Sequence, residues 1–565
     1  MRVILTGIVA CLVAVPLVAA DVAPTTTSTS AEPVRDTYAD LDALPPPPLM
    51  TGVGNSHLPI TSDSELAQQY FDQGVSLLHD FWEFEAWRAF RHAATLDPSS
   101  PMPHWGMYLA ARNLKRGRGD ALSYRERQAL DQARALRDNA SDREQYYIRS
   151  IERLADGDSE DAYADYQREL EALLNRYPDE TEAALFLALS LMSGFDAQGN
   201  PNDGQMYAES ILTGLLATHP DHQGLLHYWI HAQEPGERPD TALDAARRLA
   251  DVAPDAGHIV HMPGHIYFIM GDYANANAQF ERAETVGRRY MESQGITVLD
   301  TWNYVHNLNF MVASLAEAGQ YEEALRRATS LPAIELDASH RDVSGLDNYY
   351  LQGLTMPARV EARFGRWSAA AARIEALPDA AEPWGPTLLP VREALLAYTR
   401  GRAAVAAGDL NAARDESDRL DAVLWRVQRS DALSGFRERP LEIASLDLAG
   451  AILSAAGDVD GAIEKLAAAV EIEANIPYHE PPIVFYPARQ SLGDINLAAG
   501  RWDAAREAYE ALLEDRPDSG HARYGIAKSY EGAGDTEQAR AAFESFLQSW
   551  RAADEALPQI ADARR

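Results

Sequence analysis

A period of 34 residues constrains this chain more than any other feature. Gly500 and Gly534 lie one period apart, and so do His227 and His261, and His231 and His265. Self-similarity at such a period means that each repeat is one supersecondary unit unable to bury its apolar face alone, so neighbours must stack. The stretch AGHIVHMPGHIYFIMGDYANANAQFERA shows the internal grammar. With Gly257 as repeat position one, Gly264 falls at eight, Tyr267 at eleven, Gly271 at fifteen, Tyr273 at seventeen, Ala276 at twenty, Phe280 at twenty-four and Ala283 at twenty-seven. Small residues set against large ones at these spacings let two antiparallel helices approach closely.

These are the small and aromatic positions of the tetratricopeptide repeat (TPR). The same pattern returns in Tyr70–Pro98, with Gly74, Ala86, Phe90, Ala93 and Pro98, and in Trp502–Pro517, with Ala505, Tyr509 and Pro517. Further helix-turn glycines stand at Gly319, Gly365, Gly408 and Gly457, at spacings in the forties that imply longer helices or loops. The expected fold is therefore all-α, a right-handed TPR superhelical solenoid of roughly nine to eleven helical hairpins. The divergent hairpins fall between Asn113 and Leu212, and helix A of each repeat lines a concave groove. Alanine-rich segments with almost no β-branched runs agree. Dividing 565 residues by about 150 per domain would suggest roughly four domains, but a repeat array overrides that arithmetic.

The first residues, MRVILTGIVACLVAVPLVAAD, read as a secretory signal peptide with Arg2, an apolar stretch from Val3 to Val18, and cleavage after Ala20. The rival reading is a lipobox, Ile8-Val9-Ala10-Cys11, which would leave a lipidated Cys11; the apolar stretch runs past Cys11, whereas a lipobox normally closes it. Residues 21–50 are Thr/Ser/Pro-rich and read as an extended tether, with the solenoid over 51–565. The mature chain is thus expected in the periplasm or secreted, with no membrane span. Its formal charge of −35, from 50 basic and 85 acidic residues, excludes nucleic-acid partners. One cysteine excludes intramolecular disulfides and thiolate metal cages.

Six of the 15 histidines, His227, His231, His258, His261, His265 and His306, crowd into eighty residues. His258, His261 and His265 take repeat positions two, five and nine; His227, His231 and Glu234 take five, nine and twelve. Spacings of three and four place each trio on one helix face, which is the groove face because the packing positions are already taken. His306 sits at position two of the next repeat, with Asn309 at five. Helices packed about 8–10 Å apart can reach one ion from both sides through bonds of about 2.0–2.1 Å. The candidate metal ligands are therefore His227, His231, Glu234, His258, His261, His265 and His306, in a groove over 222–310. Without thiolates the ion is a divalent transition metal such as zinc, copper, nickel, iron or manganese, and open positions would permit metal-dependent catalysis. The alternative is a groove that grips a peptide or protein without catalysis.

Pro263 inside His-Met-Pro-Gly-His is expected to kink its helix, and Gly264 to allow close approach of a backbone or ligand. No phosphate loop, dinucleotide fingerprint or nucleophile elbow is present, and the His-x3-His pairs lack the glutamate of zincin proteases. Trp229 and Trp302 are expected to pack in the core, with a place in the groove wall as the alternative. His479 and Glu480, in the loop before a repeat, are secondary candidates that could face the groove, but they read chiefly as a loop acid and histidine stiffened by Pro481 and Pro482.

The block HYWIHAQEPGERPDTALDAARRLADVAPDAGHIVHMPGHIYFIMGDY resembles the histidine-rich block of a family of exported bacterial TPR proteins. AQQYFDQGVSLLHDFWEFEAWRAFRHAATLDP, YVHNLNF, RFGRW and YHEPPIVFYPARQSLG agree with it, so the resemblance covers nearly the whole mature chain. It implies the repeat fold and carries no assigned activity. The chain departs from its relatives in keeping only His57 before the first repeat, and in having Gly264 where serine is common.

Overall fold

The computed structural model describes residues 44–116, 123–155, 160–298, 300–331, 352–377, 381–429, 438–484 and 486–565. The export signal, Cys11 and the tether as far as residue 43 lie outside the described residues. Among the described residues the helices pair into twelve hairpins, from Glu65–His79 with Glu83–Leu96 to Gly520–Ala533 with Thr536–Ser549, followed by a last helix, Pro558–Ala563. That is one more than the upper expectation. Between Asn113 and Leu212, where divergent repeats were expected, hairpins such as Asp142–Leu154 with Glu160–Arg176 form without the small-and-aromatic signature. No described helix is long and apolar enough to cross a membrane.

The repeat grammar acts as the spacing predicts. A Cβ added at Gly264 would stand 2.3 Å from the Phe280 ring, and one at Gly74 or Gly106 would stand 2.5 Å from Phe90. Tyr509 is gripped likewise by Gly493 and Gly525, at 2.6 and 2.4 Å. Each aromatic is thus wedged against a helix that has no side chain in its way, and burying such a ring contributes about 1.5–3 kcal/mol. Gly264, expected to admit a backbone or ligand, is occupied by Phe280.

The turns are built from a Gly–Asp device. Gly271, Gly408, Gly457 and Gly534 close one helix at φ between +77° and +91°, a region that only glycine enters without strain. The following Asp272, Asp409, Asp458 and Asp535 each accept a backbone N–H of the next helix, a cap worth about 0.5–2 kcal/mol. Helix Ala381–Ala406 and its partner Leu410–Val427 supply the long elements implied by the wide glycine spacing. Pro263 is carried inside Gly257–Ile269 without ending it.

The chain falls into two compact units, the first ending at Pro263 and the second beginning at Gly264. In the first, Glu65–His79 packs against Gln223–Gln233, so the fifth hairpin returns to the first. A strip before the first helix straps them together. Asn55 N donates to Gln223 Oε1 at 3.1 Å, Gln223 N returns a bond of 3.1 Å to Asn55 Oδ1, and Asp255 N donates to Gly52 O at 2.8 Å. The end of the expected tether is docked too: Tyr70 OH donates to Pro47 O at 3.1 Å and Met50 N to Gln73 Oε1 at 2.7 Å. In the second unit the last hairpins lie against Trp302–Glu317 and its partner Tyr321–Ala328, with Trp550 Nε1 donating to Glu317 O at 2.8 Å and Asp554 N to Gly319 O at 3.1 Å.

Candidate metal centre

Helix Gln223–Gln233 projects His227 and His231 one turn apart, and Gly257–Ile269 brings His258 beside them. One ligand atom from each of the three imidazoles lies within 4.8 Å of the other two. A point within about 2.8 Å of all three therefore exists, a small side-chain adjustment from the 2.0–2.1 Å of a metal–imidazole bond. The expectation that these rings line an open groove is not met in that form. All six histidines of the ladder are buried, with exposures from 0% to 8%.

The outward nitrogens of two rings are anchored. His227 Nδ1 lies 2.6 Å from the His79 carbonyl oxygen, which only accepts, so the proton is on Nδ1 and the lone pair on Nε2. His231 Nδ1 likewise donates to Glu234 Oε1 at 2.6 Å. Such second partners fix tautomer and ring orientation at metal sites. Burial, with His231 beside it, pushes the His227 pKa well below the ordinary imidazole value, so that ring is in the neutral, ligating form. Glu234, one of the expected ligands, thus stands behind His231 as its orienting carboxylate.

Phe81 covers the cluster. Its ring centroid lies 4.7 Å from that of His227, 5.4 Å from His231 and 5.9 Å from His258. The backbone here is unusual. Phe81 N bonds Leu78 O and Trp82 N bonds Leu77 O, the pattern that Gly271 and Asp272 make with Phe268 O and Tyr267 O. Where seven later hairpins turn on a left-handed glycine, at 271, 319, 365, 408, 457, 500 and 534, the first turns on Phe81 at φ +54°. A non-glycine there costs of order 1–3 kcal/mol, and what the position gains is a ring over three imidazoles. Asp80 beside it is fully buried, its carboxyl oxygens make no hydrogen bond among the described residues, and burial pushes its pKa well up.

His79 is itself held. Its Nε2 lies 2.6 Å from Glu182 Oε2, its Nδ1 lies 2.8 Å from Tyr228 OH, and His222 Nε2 lies 3.1 Å from the other Glu182 oxygen. Burial alone would push the Glu182 pKa up, but His79 and His222 outweigh it and hold it below the usual carboxylate range. Phe81, His79, Glu182 and His222 escape a reading of the sequence because they join helices as much as 149 residues apart. The usable signal was the left-handed turn that lacks its glycine.

The remaining expected ligands divide between the units. His261 stacks on His258 with ring centroids 5.7 Å apart. In the second unit His265 and His306 stand 5.7 Å apart, and Glu480 Oε2 lies 3.8 Å from His265 Nδ1 and 3.7 Å from His306 Nε2. Glu480, read chiefly as a stiffened loop acid, is therefore placed to act with these two rings, whereas His479 turns its Nδ1 to Pro481 O at 3.0 Å. Trp229 and Trp302, expected in the core, are only half-buried.

Residues 491–558 match a family model described as tetratricopeptide repeat. No curated protein matches the chain. Among solved structures, the TPR domain of P58(IPK) is 12% identical, covering 83% of this chain and 99% of its own, with a TM-score of 0.22. The human IFIT1 dimer with PPP-AAAA is 13% identical, covering 84% and 95%, with a TM-score of 0.36. The same human protein with m7Gppp-AAAA is 12% identical, covering 88% and 92%, at 0.31.

Proposed function

We propose that this all-α array of TPR-type hairpins is an exported metal-binding protein whose ion is held by His227, His231 and His258. The observation that carries the reading is the converging trio with two pre-set tautomers: three ligand atoms within 4.8 Å, with His227 and His231 each fixed through Nδ1 by a carbonyl and a carboxylate. An all-nitrogen set suits zinc, copper, nickel, iron or manganese. Three protein ligands leave a coordination position for a further molecule, as in catalytic zinc sites, and the site could then polarise a bound substrate. His265, His306 and Glu480 offer a second donor set of mixed imidazole and carboxylate character. Export rests on the signal read at residues 1–20, and would place the protein in the periplasm or outside the cell.

The test is elemental analysis of the purified full chain beside His231→Ala and His258→Ala. A transition metal bound in stoichiometric amount, and lost from both variants with the fold intact, is the expected result. Metal-free protein whose melting is indifferent to added zinc and to chelators would instead favour a metal-independent scaffold for a peptide or protein partner, the common use of repeat arrays.

A further inference from the structure

Two imidazoles of the second unit converge on one carboxylate oxygen. His265 is carried by Gly257–Ile269 and His306 by Trp302–Glu317, while Glu480 comes from the loop before Ala488–Ala498. Glu480 Oε2 lies 3.8 Å from His265 Nδ1 and 3.7 Å from His306 Nε2. Both separations are too long for a hydrogen bond. Donors that share one ion at about 2.0–2.2 Å stand roughly 3.0–3.5 Å apart, so the carboxylate and each ring need to draw together by only about half an ångström to hold one.

Packing sets the two rings in advance. Phe310 lies against His265 with ring centroids 4.1 Å apart and meets His306 edge-on at 5.3 Å, and Trp302 flanks His306 at 5.6 Å. The imidazoles are buried, whereas the Glu480 side chain is 19% exposed, so the carboxylate is the member of the set that an arriving ion meets first. A further polar group stands beside them. Asn309 lies one turn beyond His306 on the same helix face; it is buried, and neither its amide oxygen nor its amide nitrogen makes a hydrogen bond among the described residues. It lines an open cleft together with Phe268, one turn beyond His265, and Pro481, next to Glu480. A buried amide left without partners is destabilising, and water carried by an ion at this place would supply one.

We propose that His265, His306 and Glu480 hold a second ion, a divalent iron or manganese, with Asn309 hydrogen-bonded to water on its open positions. Two imidazoles and one carboxylate with positions left open are the donor set that suits non-haem iron(II), and the carboxylate oxygen suits manganese equally, in contrast to the all-imidazole trio. No ligand is shared with the His227–His231–His258 centre, so either site can fail alone.

Electron paramagnetic resonance of manganese(II) titrated into the full chain tests this, because the free-ion signal falls as the ion is bound. The wild-type chain is expected to take up manganese at this site with a stoichiometry of one. Glu480→Gln keeps the shape and removes the charge, and should weaken binding by at least about tenfold, the least that losing an orienting partner costs at a metal site. Its loop position leaves the helices intact, which an unchanged melting curve checks. His231→Ala should leave manganese binding as it is, and uptake that persists in that variant while zinc binding at the first centre is absent supports this site alone. No uptake up to about 1 mM, equal affinity in wild type and Glu480→Gln, or loss of uptake in a folded His231→Ala overturns the proposal.

Discussion

Replacing Glu234 by glutamine isolates the part of the account that goes beyond counting histidines. The side chain is almost fully buried and its Oε1 accepts from His231 Nδ1 at 2.6 Å. Glutamine keeps the shape and an accepting oxygen but removes the charge. A hydrogen bond to a charged group contributes about 1.5–3 kcal/mol, against about 0.5–1.5 for a neutral one, so the loss is on the order of 1–1.5 kcal/mol. That energy is felt by the metal through the basicity and orientation of His231 Nε2, and corresponds to roughly tenfold in affinity, the lower end of what orienting residues usually contribute. The assay is a competition titration of zinc between the protein and a chromophoric chelator at fixed pH, run on wild type, Glu234→Gln, His231→Ala and the double variant. Glu234→Gln should weaken zinc by about tenfold alone and by nothing further in the His231→Ala background, since its effect passes through that ring. An unchanged affinity, or an equal loss in both backgrounds, would refute the orienting role.

Phe81→Gly should relieve the left-handed turn, holding thermal stability within about 1–2 kcal/mol of wild type despite the lost ring, while metal passes to excess chelator faster; an unaltered exchange rate would mean that the ring does not cover the ion. Gly264→Ala should destabilise by about 1–3 kcal/mol through overpacking against Phe280. Gly214→Ala, with nothing within 4 Å of the new methyl, should stabilise by about 0.5–1 kcal/mol, and denaturant unfolding of the pair checks both signs. Burial pushes the Glu317 pKa up, but the charges of Arg363 and Arg516 outweigh it and hold it well below the usual carboxylate range. A carboxyl depressed in the folded state contributes stability that is fully present above its unfolded pKa and is lost as pH falls toward the folded one. Glu317→Gln should therefore cost about 3–5 kcal/mol near neutrality, a gap that narrows below roughly pH 4.3; a gap independent of pH contradicts the pairing.

The repeat was legible because its signals are local. Gly264 against Phe280, the Gly–Asp turns at Gly271, Gly408, Gly457 and Gly534, and the 34-residue step between His227 and His261 all follow from spacing along one or two helices. What connects distant hairpins was not. Nothing near His79 in the chain announces that it meets Glu182, or that its carbonyl would fix His227, because those contacts depend on the fourth and fifth hairpins returning to the first. Spacing also could not say whether the imidazole face would be open. The same helical register serves a groove and a buried cluster, and the choice was made by Phe81 and by the strap from Gly52 to Asn55. Glu480 was undervalued for a related reason, since its partners His265 and His306 lie more than 170 residues upstream.

X-ray absorption at the zinc edge of the loaded full chain tests the central claim most directly. The account predicts a first shell of nitrogen or oxygen scatterers at about 2.0–2.1 Å, dominated by imidazoles as shown by their outer-shell scattering, with the imidazole contribution falling in His258→Ala. A shell of oxygen alone, or an imidazole signal that His258→Ala leaves unchanged, would contradict it.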